Sequence, residues 1–149
     1  MKHFSVTFIV ILVVVVNTVS SQMTPEHAKF IGEVNKCKTE SGATDEEVED
    51  LYNRIIPTTK SAKCFNACVM EKTQILQGGK FVPDNLNKIV EMDKTNLKGK
   101  DGKTLVEAMN DINAECKDIV DSDKCEFAAK LRSCLNAAAR KREYCPNVF

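Results

Sequence analysis

From residue 22 onward, apolar residues recur at steps of three or four positions and do not alternate with polar residues over any long window. Steps of this length place side chains on one face of an α-helix, whereas strict alternation is typical of strands. The clearest stripe advances by four, three, four and three positions and consists of Leu105, Met109, Ile112, Cys116 and Ile119. The pattern therefore predicts an all-α fold built from short amphipathic helices.

Capping residues, glycines and prolines divide this part of the chain into about six helices. Thr44 and Glu47 have the spacing of a capping box, which predicts the start of the second helix. Residues 93–104 are polar and contain two glycines, which indicates a solvent-exposed loop. The six helices are expected to start at Thr24–Pro25, at Thr44, near Ser61 with an end at Gly78–Gly79, at Pro83, near Leu105 and at Asp123.

The N-terminus has the pattern of a cleaved secretory leader. Lys2 and His3 precede an apolar run from Phe4 to Val16, and small or polar residues follow up to position 21. The alternative, a transmembrane anchor, is disfavoured because the run is well short of the roughly 20 residues that span a bilayer. We therefore predict a signal peptide over residues 1–21 and a secreted, extracellular domain over residues 22–149, without stable insertion in a membrane.

The charge balance and the length of the chain limit the classes of function and the number of domains. The 149 residues contain 21 basic and 21 acidic side chains, so the formal net charge is zero. This balance argues against a nucleic-acid-binding protein, which would show a basic excess or a basic stripe. The length fits a single domain after the leader.

Few residues are suited to catalysis. After removal of the leader, His27 is the only histidine, and no Gly-x-Ser-x-Gly motif occurs. The acidic run at residues 45–47 lies in a predicted first helical turn, where it complements the helix dipole. Zinc bound by thiolates would need reduced cysteines, which the secretory route disfavours. The chain is therefore predicted not to be an enzyme and to hold no metal.

Seven cysteines give the strongest chemical signal. The first six are Cys37, Cys64, Cys68, Cys116, Cys125 and Cys134. A secreted chain of this size favours disulfides between them, although six cysteines allow 15 pairings. Cys64 and Cys68 are one helical turn apart, so they are able to tie two other elements to one face of the third helix.

A leader and six cysteines, with three residues between Cys64 and Cys68 and eight between Cys125 and Cys134, resemble the insect odorant-binding proteins, the pheromone-binding family. The resemblance covers essentially the whole mature chain. It implies helices around a hydrophobic cavity and no cofactor. It also implies three interlocked disulfides, Cys37–Cys68, Cys64–Cys125 and Cys116–Cys134.

The chain departs from the family pattern in two places. The 47 residues between Cys68 and Cys116 exceed the usual interval, and we assign the excess to the loop at 93–104. Cys145 lies outside the six-cysteine set and is predicted to be unpaired, as a free thiol or an adduct, with a bridge between two chains left open. The expected assembly is accordingly a monomer or weak dimer, with a Cys145-linked dimer as an alternative.

Large apolar residues on the inner helix faces are the predicted lining of the cavity, although core packing explains each of them equally well. Met70 and Met109 carry flexible thioethers that adapt to different ligand shapes. Tyr144 is the favoured hydrogen-bond anchor, and the apolar C-terminal tail at 143–149 is expected to cover the cavity mouth. The predicted ligand-binding residues are Val69, Met70, Ile75, Leu76, Phe81, Leu86, Ile89, Val90, Met109, Ile112, Leu131, Leu135, Tyr144, Val148 and Phe149.

The resemblance implies a carrier of small hydrophobic volatile ligands, odorants or pheromones, through aqueous sensory lymph, with an odorant receptor as a further partner left open. Two alternatives are kept. One is a hydrophobic-ligand carrier outside olfaction, in haemolymph, saliva or a reproductive secretion. The other is a secreted structural or interaction protein with a filled core.

Overall fold

A computed structural model describes residues 25–92 and 98–144. The predicted leader, Cys145 and residues 146–149 of the predicted tail lie outside the described residues. The side chains of Glu26, His27 and Met92 are likewise outside the described part of the structure. The chain divides into two compact units, residues 1–32 and residues 33–149, and each is described by itself.

The structure describes six helices, which confirms the predicted all-α fold class. Within the first unit it describes residues 25–32, the first half of a helix that continues into the second unit. Among the described residues, no helix has both the length and the apolar character needed to cross a membrane. The helices are α1 (Pro25–Ser41), α2 (Asp45–Tyr52), α3 (Lys60–Lys72), α4 (Pro83–Met92), α5 (Leu105–Cys116) and α6 (Lys124–Lys141).

Side-chain caps set the starts of four of these helices. Thr44, Thr59, Thr104 and Asp123 each accept a hydrogen bond from a backbone N–H of the first helical turn. Such caps satisfy donors that have no partner within the helix. The predicted capping box at Thr44 is present, with the Glu47 carboxylate accepting from the Thr44 N–H at 2.9 Å.

The expectation that α3 extends to Gly78–Gly79 is wrong. The helix ends at Lys72, and a hairpin follows with strands β1 (Leu76–Gln77) and β2 (Lys80–Phe81). Gly78 and Gly79 have φ angles of 56° and 74°, the left-handed conformation that a type I′ hairpin turn requires at both positions. A glycine pair therefore marked a turn between strands and not the end of a helix.

Three disulfides cross-link the second unit with the pairings that the family resemblance implied. Cys37–Cys68 joins α1 to α3, Cys64–Cys125 joins α3 to α6, and Cys116–Cys134 joins α5 to α6. They close loops with sequence separations of 31, 61 and 18 residues. Loops of this size correspond to roughly 3–4 kcal/mol each in the chain-entropy description, without simple additivity.

Helices α3 and α6 form the central contact of the fold. Ala67 of α3 and Ala128 of α6 are both fully buried in one apolar cluster. Small side chains allow two helix backbones to approach closely. Asn66, also buried, donates from Nδ2 to the Ala128 carbonyl at 3.0 Å, so a hydrogen bond sets the register of the two helices.

Tyr144 fastens the segment before α5 to the end of α6. Its hydroxyl donates to the carbonyls of Lys103 and Thr104, at 2.9 and 3.1 Å. Its ring is buried, and burial raises the pKa of the phenol. Gly99 lies against this ring, and a Cβ added there would be 2.7 Å from Tyr144 Cζ and 2.6 Å from the Arg142 carbonyl oxygen.

We therefore expect Gly99→Ala to lower the free energy of unfolding by about 1–3 kcal/mol, because overpacking forces a shift of backbone or ring. Gly32→Ala is the matched control. Gly32 is exposed within α1 and has open space where alanine would place its Cβ, so alanine there should be neutral or stabilise by up to about 1 kcal/mol. Urea denaturation of the oxidised variants measures both effects, and equal stabilities would contradict the packing role of Gly99.

The Glu47 carboxylate links the starts of α2 and α3. It accepts hydrogen bonds from the hydroxyls of Thr59 and Ser61 in addition to the Thr44 N–H. The Thr59 hydroxyl, followed by the Thr44 N–H and the Ser61 hydroxyl, lowers the pKa of this carboxyl. A lowered pKa means that the contribution to stability is present above the ordinary pKa near 4.5 and is lost as the pH falls through the lower value.

Glu47→Gln should accordingly destabilise the protein at neutral pH and have a smaller effect in acid, where the native carboxylate is protonated. Glu46→Gln makes the same change of charge in the same helical turn and serves as the control. Denaturation curves at neutral and acidic pH give the comparison. The assignment is contradicted if both substitutions cost the same free energy at neutral pH.

Candidate ligand-binding cavity

A cavity of about 330 Å³ lies among α3, α4, α5 and α6. This volume is at the lower end of the range for small-molecule sites, roughly 300–1,000 Å³. Its wall is mostly apolar with a small number of polar groups. The lining residues are Arg54, Asn66, Val69, Met70, Thr73, Ile75, Leu86, Ile89, Val90, Leu105, Met109, Ile112, Arg132, Leu135, Asn136 and Ala139.

Helices α3 and α6 contribute two stripes with the same spacing. Each stripe takes positions i, i+3, i+4 and i+7, which lie on one face of an α-helix. On α3 and its C-cap the stripe is Asn66, Val69, Met70 and Thr73, and on α6 it is Arg132, Leu135, Asn136 and Ala139. The face that lines the cavity is therefore partly polar on both helices.

Helices α4 and α5 contribute only apolar side chains. These are Leu86, Ile89 and Val90 on α4, with Leu105, Met109 and Ile112 on α5. Side-chain amides connect the two helices outside the cavity. Asn113 Nδ2 donates to Asn87 Oδ1 at 2.7 Å, and Asn87 Nδ2 donates to Asn110 Oδ1 at 3.2 Å. This amide chain positions α4 as one wall.

Nine of the residues predicted from the sequence line this cavity. Both methionines with flexible thioethers are among them. The nine are Val69, Met70, Ile75, Leu86, Ile89, Val90, Met109, Ile112 and Leu135.

Four predicted lining residues lie elsewhere. Leu76 and Leu131 are buried in the cluster around the α3–α6 contact, and Phe81 packs against that cluster. The Tyr144 hydroxyl is occupied by two backbone carbonyls, and its ring belongs to a cluster with Met109 and Ala138. Leu131 lies on a face of α6 next to the one that lines the cavity, whereas Leu76 and Phe81 belong to the hairpin and Tyr144 follows α6.

Two further predicted residues, Val148 and Phe149, lie outside the described residues, and the cover over the cavity mouth stays a prediction.

Five polar lining residues and two apolar ones were not predicted from the sequence, because the predicted lining consisted of large apolar side chains and Tyr144. The signal was present in the spacing. Arg132 precedes Leu135 by three positions, and Asn66 precedes Met70 by four, so each shares a face with a predicted residue. The missed residues are Arg54, Asn66, Thr73, Leu105, Arg132, Asn136 and Ala139.

Hydrogen bonds join four of the polar lining residues in two pairs. Arg132 Nη1 donates to Asn66 Oδ1 at 3.0 Å, and Nη2 donates to the Leu51 carbonyl at the end of α2. Asn136 Nδ2 donates to the Arg54 carbonyl at 3.1 Å. These bonds hold the segment after α2 against α6 on one side of the cavity.

The electrostatic environment disfavours the charge of Arg132. Burial of the guanidinium, and then the positive charge of Arg54, lowers the pKa of Arg132 to about 10. Removal from water penalises a charged group, and a like charge nearby adds to the penalty. Arg132 is nevertheless a cation at neutral pH.

Arg54 occupies a backbone conformation that usually belongs to glycine. Its φ is 63°, and its N–H donates to the Leu51 carbonyl at 3.1 Å, while the Ile55 N–H donates to the Asp50 carbonyl at 2.9 Å. This pair of bonds is the Schellman motif, which ends a helix with a left-handed residue. An arginine in this conformation has the steric penalty of a Cβ that glycine avoids.

These features define a small, disulfide-linked helical protein with an apolar cavity for a small molecule. Comparison with known sequences places it more narrowly. The pattern of the PBP/GOBP family matches residues 20–138. General odorant-binding protein 19d of Drosophila melanogaster is 36% identical over 103 residues. The match covers 68% of this chain and 65% of that protein, which is just under two thirds of its length.

Solved structures agree with this placement. Odorant-binding protein dmelOBP28a from Drosophila melanogaster has a TM-score of 0.63 and 27% identity, covering 76% of this chain and 92% of its own. Odorant Binding Protein 7 from Anopheles gambiae, solved in complex with an azo compound, has a TM-score of 0.57 and 26% identity, covering 80% and 90%. The chain belongs to the PBP/GOBP family. These relatives are named as odorant-binding proteins.

Proposed function

We propose that this protein is a secreted carrier that binds small hydrophobic odorants or pheromones and transports them through aqueous sensory lymph to receptors. The observation that carries the proposal is the apolar cavity of about 330 Å³ in a chain of the PBP/GOBP family. Apolar ligands gain roughly 25 cal/mol for each Å² of apolar surface removed from water. A cavity bounded by apolar residues of four helices provides such surface on several sides.

The disulfides support this function because they stabilise a fold that contains an apolar cavity. Cys64–Cys125 holds α3 to α6, and Cys116–Cys134 holds α5 to α6, so three cavity walls are covalently linked. An apolar cavity without its ligand costs free energy, since its lining lacks packing partners. Cross-links offset this cost by limiting the unfolded chain.

Secretion is part of the proposal. Residues 1–21 have the pattern of a leader, and disulfides form and persist in the oxidising secretory route. We propose the extracellular space as the place of action and a monomer or weak dimer as the assembly, with Cys145 as the residue able to link two chains.

Two alternative functions are distinguished from the olfactory carrier by different observations. A carrier outside olfaction needs the same cavity, and transcript levels in antennae against other tissues separate it from an olfactory one. A structural protein with a filled core is disfavoured by the cavity itself.

The direct test uses oxidised protein secreted from a host cell and a neutral fluorescent apolar probe. We expect saturable binding to one site, displacement by long-chain alcohols, esters or terpenoids, and loss of binding on reduction. Circular dichroism before and after reduction follows the helix content. Absence of saturable binding by helical, oxidised protein would refute the carrier function and favour the filled-core alternative.

Ala139→Phe tests whether this cavity is the binding site. Ala139 lines the cavity on α6, and a phenyl ring there would occupy much of the space available to a ligand. Probe affinity should fall by about tenfold or more, since the apolar contacts of the ligand are lost. Ala137→Phe makes the same change at an exposed position of the same helix and should bind like the wild type. Equal affinities of the two variants would place the probe elsewhere.

A further inference from the structure

Two arginines line one side of the cavity. Arg54 and Arg132 both line it, whereas no aspartate or glutamate of the described residues does. The two charges are close enough for Arg54 to lower the pKa of Arg132. A mostly apolar site with cationic groups on one side is complementary to a ligand that has an anionic head and an apolar body.

The hydrogen bonds of Arg132 leave its charge uncompensated. Among the described residues it donates to two neutral acceptors, the Asn66 amide oxygen and the Leu51 carbonyl. Its Nε is buried with no acceptor within the described part of the chain. Buried charges in proteins are usually paired with an opposite charge, because desolvation alone is unfavourable.

The fold itself therefore removes much of the hydration of Arg132. When an anion binds to this guanidinium, the protein has little further desolvation free energy to lose. The desolvation cost of the ion pair is therefore smaller than it would be for an exposed arginine. Guanidinium and carboxylate also match in shape, since both are planar and form paired hydrogen bonds.

Arg54 supplies an independent observation. Its φ of 63° lies in the left-handed region, where glycine avoids the steric penalty of a Cβ. Glycine would suit the backbone at this position better, but the residue there is an arginine that lines the cavity.

We propose that Arg54 and Arg132 bind the carboxylate of a monocarboxylic acid whose hydrocarbon chain occupies the apolar part of the cavity. The chain would contact α4 and α5, which contribute only apolar side chains to the wall. This inference rests on the proposed carrier function, because a filled core would leave no room for the hydrocarbon.

The test compares three ligands with the same ten-carbon chain and different heads: decanoate, 1-decanol and decyltrimethylammonium. Each displaces the neutral fluorescent probe from oxidised wild-type protein at neutral pH. We expect decanoate to bind about tenfold more tightly than decanol, because its hydrogen bonds to guanidinium are charge-assisted. The cationic head should bind most weakly.

Three variants assign the preference to residues. Arg132→Met and Arg54→Gly should each reduce the ratio of decanoate to decanol affinity. Arg140→Met removes an exposed guanidinium from the same helix α6 and should keep the wild-type ratio. Arg54→Gly suits the local backbone, so it provides a folded variant even if loss of the Arg132 bonds disturbs the contact between α2 and α6.

The outcomes separate this inference from the carrier function. Wild-type protein that binds the probe and decanol, but decanoate no better, overturns the carboxylate site and leaves the carrier intact. Protein that is helical and oxidised but binds neither probe nor decanol overturns both. A preference for decanoate that is unchanged in both Arg132→Met and Arg54→Gly shows that these arginines do not hold the carboxylate.

Discussion

The contact between α3 and α6 is the constraint on which the other features depend. Cys64–Cys125 links the two helices covalently, and the fully buried Ala67 and Ala128 allow their backbones to lie close together. The Asn66 amide then sets the register through the Ala128 carbonyl. With one face of each helix committed to this contact, an adjacent face of each is left to line the cavity, where α4 and α5 complete the wall.

The same contact explains how a cation comes to lie beside an apolar cavity. Arg132 follows directly after Leu131, which is fully buried in the core. Successive residues of an α-helix point about 100° apart, so a helix that buries Leu131 must direct Arg132 to a neighbouring face. Asn66 and the carbonyl at the end of α2 provide its hydrogen bonds, and they satisfy its donors without neutralising its charge.

The helices were predictable because their signals are local. Apolar spacing and the caps at Thr44 and Asp123 act within one or two turns, and the described helices begin next to these residues. The hairpin at 76–81 was not predicted because a pair of glycines is common both at the end of a helix and in a hairpin turn. The choice depends on whether the flanking residues find strand partners, and Leu76 pairs with Phe81.

The cavity shows the limit of local signals most clearly. Periodicity identified stripes of apolar residues, but it did not distinguish the face of α6 that packs on α3 from the face that lines the cavity. Leu131 and Leu135 look alike in the sequence, yet Leu131 is core and Leu135 lines the cavity. That distinction, like the placement of Arg132 and the burial of Tyr144, arises from contacts between residues distant in the chain. Local spacing thus determined which residues share a helix face, and only the packing of the helices determined whether that face lies in the core or lines the cavity.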